Sequence, residues 1–191
     1  MAIYMWREDT QTYTYSYDFR NKTTTNLTND WWLNVSSLTT GSTGIMASSW
    51  TAVNKNVSWL TSIMNTAKKL TLELQTVITN VNNSTSWLLL MEDLNYSKQC
   101  WFYYDTSYFD VVINSVDAYR VWHNKSNWNK TITCEYDFVN KTYSGNYVWG
   151  NGTFFGTLID ARIAGVRNLG YIYMPIEWGS YIQTINITVE Y

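Results

Sequence analysis

Proline, histidine and cysteine are nearly missing from this chain, whose 191 residues hold one Pro, one His and two Cys. Two cysteines exclude a disulfide-dense miniprotein and, with a lone histidine, a zinc finger. Charge is also scarce. Only 15% of residues are charged, with a net charge of −2, against about a quarter in an ordinary soluble domain. That balance lacks the basic surface that nucleic-acid binding requires. Long apolar runs are missing too. The run Trp87 to Met91 falls far short of the roughly 20 residues that span a bilayer, so no transmembrane segment is expected.

Catalytic signatures are equally thin. His123 stands alone between Trp122 and Asn124, and no GxSxG nucleophile elbow accompanies it. Glu92 with Asp93, and Asp105 with Asp110, are the close carboxylate pairs. Both read as surface charge rather than as a hydrolytic pair. Asp105 and Asp110 also lack the spacing of an EF-hand calcium loop. The stretch GNGTFFG at 150–156 breaks the phosphate-loop spacing and reads as hairpin glycines. No enzyme, cofactor or metal is expected.

Asparagine, threonine and serine replace the missing charge. There are 20 Asn, 25 Thr and 16 Ser, and aromatics reach 17% with 11 Trp and 16 Tyr. Asn-x-Ser/Thr sequons occur at Asn21, Asn26, Asn34, Asn56, Asn82, Asn83, Asn95, Asn124, Asn129, Asn140, Asn151 and Asn186. Ser and Thr make up 41 of 191 residues, so chance placement gives roughly four sequons. Twelve is a large excess, and it points to N-glycosylation and an extracellular protein, at a cell or virion surface. Each used sequon marks an exposed position, and Asn82 and Asn83 overlap, so one of the two is expected to carry sugar. No signal peptide opens the chain, so export implies a leader removed from this numbering. Gly152 to Ile185 and Met1 to Arg20 are the notable sequon-free stretches, which makes them the expected subunit contacts. Cys100 and Cys134 then read as one disulfide, worth roughly 3–4 kcal/mol in the chain-entropy model.

Apolar residues recur with a period of two. Tyr13, Tyr15, Tyr17 and Phe19 alternate with Thr12, Thr14, Ser16 and Asp18. Leu70, Leu72 and Leu74 repeat the pattern, as do Ile132, Cys134, Tyr136 and Phe138, then Ile185, Ile187, Val189 and Tyr191. Such alternation predicts half-buried antiparallel strands. Further strands are expected near 30–38, 44–53, 86–92, 100–104, 108–114, 118–123, 143–149, 153–159 and 170–175. Trp59, Leu60, Ile63, Met64 and Ala67 instead share one helical face. They predict a single short helix over 57–68 with Asn56 as its N-cap. The fold class is therefore all-β: an antiparallel sandwich, jelly-roll or immunoglobulin-like, over residues 21–191, preceded by a strand-like arm over 1–20.

That arm reads either as the ordinary first strand of the sandwich or as a donor strand. A strand from one copy would fill the open sheet edge of the next, with Ile3 and Met5, or Tyr13, Tyr15 and Tyr17, as plugs. With its twelve sequons, the arm from Ala2 to Phe19 and no pilin-type hydrophobic helix, the chain resembles the subunits of archaeal surface threads and bundling pili. The resemblance implies a homopolymer assembled by donor-strand complementation, serving adhesion, cell–cell contact and biofilm cohesion. Two alternatives stand beside it. One is a viral surface glycoprotein, a spike or immunoglobulin-like host-binding domain. The other is a carbohydrate-binding module with exposed tryptophans, for which Trp31, Trp32 and Trp178 are the candidates.

Overall fold

The computed structural model describes residues 10–79, 86–91, 99–104, 108–113, 116–122, 128–146, 152–159, 163, 166–167, 170–176 and 179–191. Two antiparallel sheets face each other across a core of leucine, isoleucine, valine and aromatic side chains. The first sheet runs in the order β12 (Thr153–Thr157), β11 (Thr142–Asn146), β10 (Trp128–Asp137), β5 (Lys69–Ile78), β14 (Ser180–Glu190), β3 (Gly44–Ala47), β2 (Leu38–Gly41). β1 (Thr12–Asp18) also pairs with β14, beside the β3 contact. The second sheet runs β4 (Thr51–Asn56), β13 (Tyr171–Ile176), β6 (Ser86–Met91), β7 (Gln99–Tyr104), β8 (Tyr108–Ile113), β9 (Val116–Trp122). Among the described residues no helix is long and apolar enough to cross a membrane.

The two-residue period sets the first sheet's inner face. Leu70, Leu72, Leu74 and Ile78 of β5 are buried, while Lys69, Thr71, Glu73 and Gln75 on the other face stay partly exposed. Strand registers align three inward rows: Tyr136, Leu70, Val189, Tyr13; then Cys134, Leu72, Ile187, Tyr15; then Ile132, Leu74, Ile185, Tyr17. Each fully buried leucine or isoleucine in them contributes about 1.5–3 kcal/mol. Gly44 shows how closely the elements approach. Its φ is +120°, and a Cβ there would collide with the carbonyl of Ile182, so only glycine lets the β2–β3 hairpin rest on β14.

The rows place the described part of the N-terminal arm in its own chain's sheet, as the ordinary first strand. Tyr13, Tyr15 and Tyr17 each end a row of their own chain and are half-buried against its core. Pairing extends past both ends of β1, from Gln11 N–H to the Tyr191 carbonyl at 3.0 Å to Phe19 N–H on the Gln183 carbonyl at 2.8 Å. The segment is a strand of the sandwich because its alternate tyrosines complete a core that β14 leaves open. Ile3 and Met5 lie outside the described residues.

The expected disulfide is corrected. Cys134 is a free thiol, fully buried on β10, while Cys100 belongs to β7 in the opposite sheet. Cys134 sits opposite Gly145, whose missing side chain leaves room between Thr133 and Phe154, and it acts as a small core hydrophobe. Burial pushes its thiol up to about 12.

Helical content differs from the sequence expectation in two places. The helix expected over 57–68 is reduced to α2 (Leu60–Met64), flanked by turns, and its N-cap is Trp59, without a side-chain cap. Asn56 Oδ1 instead accepts from Ser58 N–H at 2.9 Å, one turn earlier. The strand expected near 30–38 is replaced by α1 (Thr24–Asn29) and an irregular segment, which touches β4 through one antiparallel bridge, Leu33 to Asn54. Arg167 ties down the end of α2 by donating to the carbonyls of Met64, Asn65 and Ala67 at 3.1, 2.5 and 2.7 Å, with its guanidinium 4.8 Å from the Phe138 ring centroid.

Candidate functional site

α1 is a single short helix with well-formed ends. Thr23 Oγ1 accepts from Asn26 N–H at 3.1 Å, and Asn26 Oδ1 accepts from Thr23 N–H at 2.9 Å, a reciprocal cap built with Asn in place of the usual Glu or Gln. At the other end Trp31 N–H donates to the Thr28 carbonyl at 3.0 Å and Trp32 N–H to the Leu27 carbonyl at 2.9 Å. These are the paired bonds of a Schellman motif, and the buried Leu27 and Trp32 are its usual apolar companions. The motif needs a left-handed residue at the position of Trp31, where glycine or asparagine normally stands. Here tryptophan takes it, at φ +64°. That backbone costs a bulky L-residue about 1–2 kcal/mol. Burial recovers little of the cost, because Trp31 is 80% exposed.

The residues on either side of Trp31, Asp30 and Trp32, are held in place. Tyr17, Phe19 and Trp32 form an aromatic triangle with ring centroids 4.8, 5.3 and 5.0 Å apart. Tyr17 Oη donates to Asp30 Oδ2 at 2.5 Å, and Lys22 Nζ lies 3.5 Å from the same oxygen. Lys55 Nζ donates to the Asp30 carbonyl and sits 5.6 Å from the Trp32 ring centroid. The Tyr17 hydrogen bond, with Lys22 and Lys55 behind it, holds the Asp30 carboxyl below its ordinary range. Burial and the same bond push the Tyr17 phenol up. Asp30 is therefore a carboxylate and Tyr17 a neutral donor at neutral pH. Among the described residues nothing bonds Asp30 Oδ1. An exposed indole, an ionised acceptor next to it in the chain and the Lys22 side chain 3.5 Å from that acceptor are thus neighbours. Trp59 extends the aromatic ground under β1, with its ring 5.1 Å from Tyr13 and 6.0 Å from Tyr15.

The structure separates the two adjacent candidates, Trp31 and Trp32. Trp31 is displayed, whereas Trp32 is core, 1% exposed. Trp178 lies outside the described residues, as do His123, Glu92, Asp93 and Asp105. Asp110 is a buried partner of Arg120, its cross-strand neighbour, at 2.6 Å. Among the described residues no three His, Cys, Asp or Glu side chains gather as metal ligands do. Of the sequon asparagines, Asn21, Asn26, Asn34, Asn56, Asn129 and Asn140 are exposed. Asn186 is half-buried on the outer face of β14, where its Nδ2 donates to Glu73 Oε2 at 3.0 Å. Asn82, Asn83, Asn95, Asn124 and Asn151 lie outside the described residues. Asp30, Tyr17, Lys22 and Lys55 were not singled out from sequence as a group. Tyr17 read as a donor-strand plug, and the cap Thr-x-x-Asn at Thr23 to Asn26 was the available sign that a helix begins just ahead of Trp31.

No family model matches this sequence, and no curated protein matches it. Solved structures do match it in shape. Basic winged bean lectin with Tn-antigen superposes with a TM-score of 0.61 at 8% identity, covering 94% of this chain and 98% of that one. Winged bean acidic lectin complexed with methyl-α-D-galactose gives 0.60 at 9% identity, covering 94% and 98%. Lectin II from Ulex europaeus gives 0.57 at 10% identity, covering 93% and 98%. At such identities the likeness concerns the fold alone, and this chain has the jelly-roll β-sandwich fold of these lectins.

Proposed function

We propose that this protein is a surface carbohydrate-binding protein whose contact residue is Trp31, with Asp30 and Lys22 as its polar partners. The observation that carries the reading is the left-handed, exposed tryptophan at the end of α1. A folding role would favour glycine there, so the fold gives no reason for an indole at that position. A pyranose ring has one face of C–H groups and a rim of hydroxyls. The C–H face fits a flat indole, and the hydroxyls fit a carboxylate acceptor and an ammonium donor. The lectin-like sandwich supports the reading by analogy of fold, and so do the surface positions of the described sequons, which suit an extracellular glycoprotein. Assembly by donor-strand exchange would have to use residues 1–9, because Gln11 to Phe19 is bound into the chain's own sheet.

Titration calorimetry and saturation-transfer NMR against a panel of neutral and amino sugars test the proposal. Binding by the native chain that disappears in Trp31→Gly, with the fold intact by circular dichroism, is the expected result. Equal binding by both chains, or none by either when both are made without N-glycans, refutes it.

A further inference from the structure

Trp31 has a sugar acceptor for a near neighbour. Asn34 lies three residues further on and is the first residue of the sequon Asn34-Val35-Ser36. Three residues span at most about 10 Å of backbone, and both ends of this span are left-handed, at φ +64° for Trp31 and +62° for Asn34. The segment between them is pinned. Leu33 N–H donates to the Asn54 carbonyl at 2.8 Å, and Trp32 fills the core beneath. The side chain of Asn34 is exposed yet oriented, because its Nδ2 donates to the Ala52 carbonyl at 3.1 Å. An amide nitrogen carries two hydrogens. N-glycosylation replaces one and leaves the other, so Asn34 Nδ2 keeps one hydrogen to donate after the modification.

The geometry points to regulation of the carbohydrate site in cis: the chain's own N-glycan on Asn34 stacks its first sugars on the Trp31 indole and occupies the site that an external glycan would use. This rests on the reading of Trp31 as a sugar-binding residue. A tether this short presents the attached sugar at a millimolar effective concentration, enough to compete with the weak affinity of a single exposed aromatic subsite. The glycosylated chain is therefore the closed form, and the chain bare at Asn34 is the open one.

The test uses the full chain secreted by a eukaryotic host, whose N-glycans begin with chitobiose. Ser36→Ala removes the glycan and keeps Asn34 and its bond to Ala52, while Ser58→Ala does the same at Asn56 as a control. The first readout is the acetamido methyl resonance of the Asn34-linked sugar, which ring current shifts upfield in the native chain and which returns to its ordinary position in Trp31→Gly. The second is titration with free chitobiose, for which Ser36→Ala binds several-fold more tightly than the glycosylated native chain. An unshifted methyl, a shift abolished by Ser58→Ala rather than Ser36→Ala, or mass spectra showing Asn34 bare in every copy overturns the inference. Equal chitobiose affinity in the native and Ser36→Ala chains overturns it too and leaves the binding function standing. A shifted methyl with no chitobiose binding by any variant supports the contact in cis and refutes the carbohydrate-binding function.

Discussion

Replacing Trp31 by glycine and by alanine separates a binding residue from a folding one. Both changes delete the indole. A fifth of its surface is covered, roughly 50 Å² of a large aromatic side chain, so the lost burial is about 1 kcal/mol at 25 cal/mol/Å². The left-handed backbone pulls the other way. Alanine keeps the strain of φ +64°, while glycine removes about 1–2 kcal/mol of it. The glycine variant should therefore match the native chain to within about 1 kcal/mol, and the alanine variant should lie about 1 kcal/mol below glycine. That order inverts the one found inside a helix, where alanine is the better residue. For a chain of this size the gap is about 2–4 °C in melting temperature, resolvable by calorimetry or by urea melts followed by circular dichroism. Sugar binding should be lost in both. A glycine variant more than about 3 kcal/mol below native, or alanine at least as stable as glycine, would show that the indole serves the fold, and the functional argument would fail.

Three further outcomes are expected. Folded Cys134 titrates at about 12 against an ordinary 9.0, so above pH 9 the unfolded chain gives up a proton that the folded chain keeps. Stability is then complete below pH 9 and falls between about pH 9 and 12, by up to 1.4 kcal/mol per pH unit from this group, and Cys134→Ala should flatten that part of a pH series of urea melts. Arg167→Ala should cost about 3 kcal/mol by leaving the carbonyls of Met64, Asn65 and Ala67, at and just past the end of α2, without their donor, and a fall in melting temperature of less than 2 °C would show that solvent replaces it. Gly44→Ala should cost more than about 2 kcal/mol, because both the left-handed φ and the Ile182 carbonyl oppose a Cβ; a stability loss under 0.5 kcal/mol would mean the hairpin shifts freely.

The strands were legible because each inward side chain announces itself at every second position. Tyr13 to Phe19, Leu70 to Leu74 and Ile185 to Val189 all alternate, and β1, β5 and β14 follow. The antiparallel sandwich follows from the same signal. α1 was not legible, since among Thr24 to Asn29 only Leu27 is buried and one apolar residue makes no helical stripe. The neighbouring Trp-Trp-Leu-Asn-Val run therefore read as a strand. The pairing of Cys100 with Cys134 was inferred from an even count in a chain of exported character, and count carries no information about which sheet each residue joins. The candidate site was half visible. Trp31 was named as one of three possible platforms, but its exposure depends on a helix end and a backbone sign that no periodicity encodes. Asp30, Tyr17 and Lys22 come from different elements and meet only after β1 has paired.

The first and last described strands lie side by side, with Gln11 and Tyr191 exchanging both backbone bonds. β14 is also flanked on its other edge by β5, so the last described strand lies in the middle of the sheet. This layer closes only once β14 has been made, and Tyr13, Tyr15 and Tyr17 of β1 wait unpaired until then. Such long-range closure is slow, on the order of milliseconds to seconds, and copies cut short before β14 leave the tyrosines of β1 without the strand they pair with.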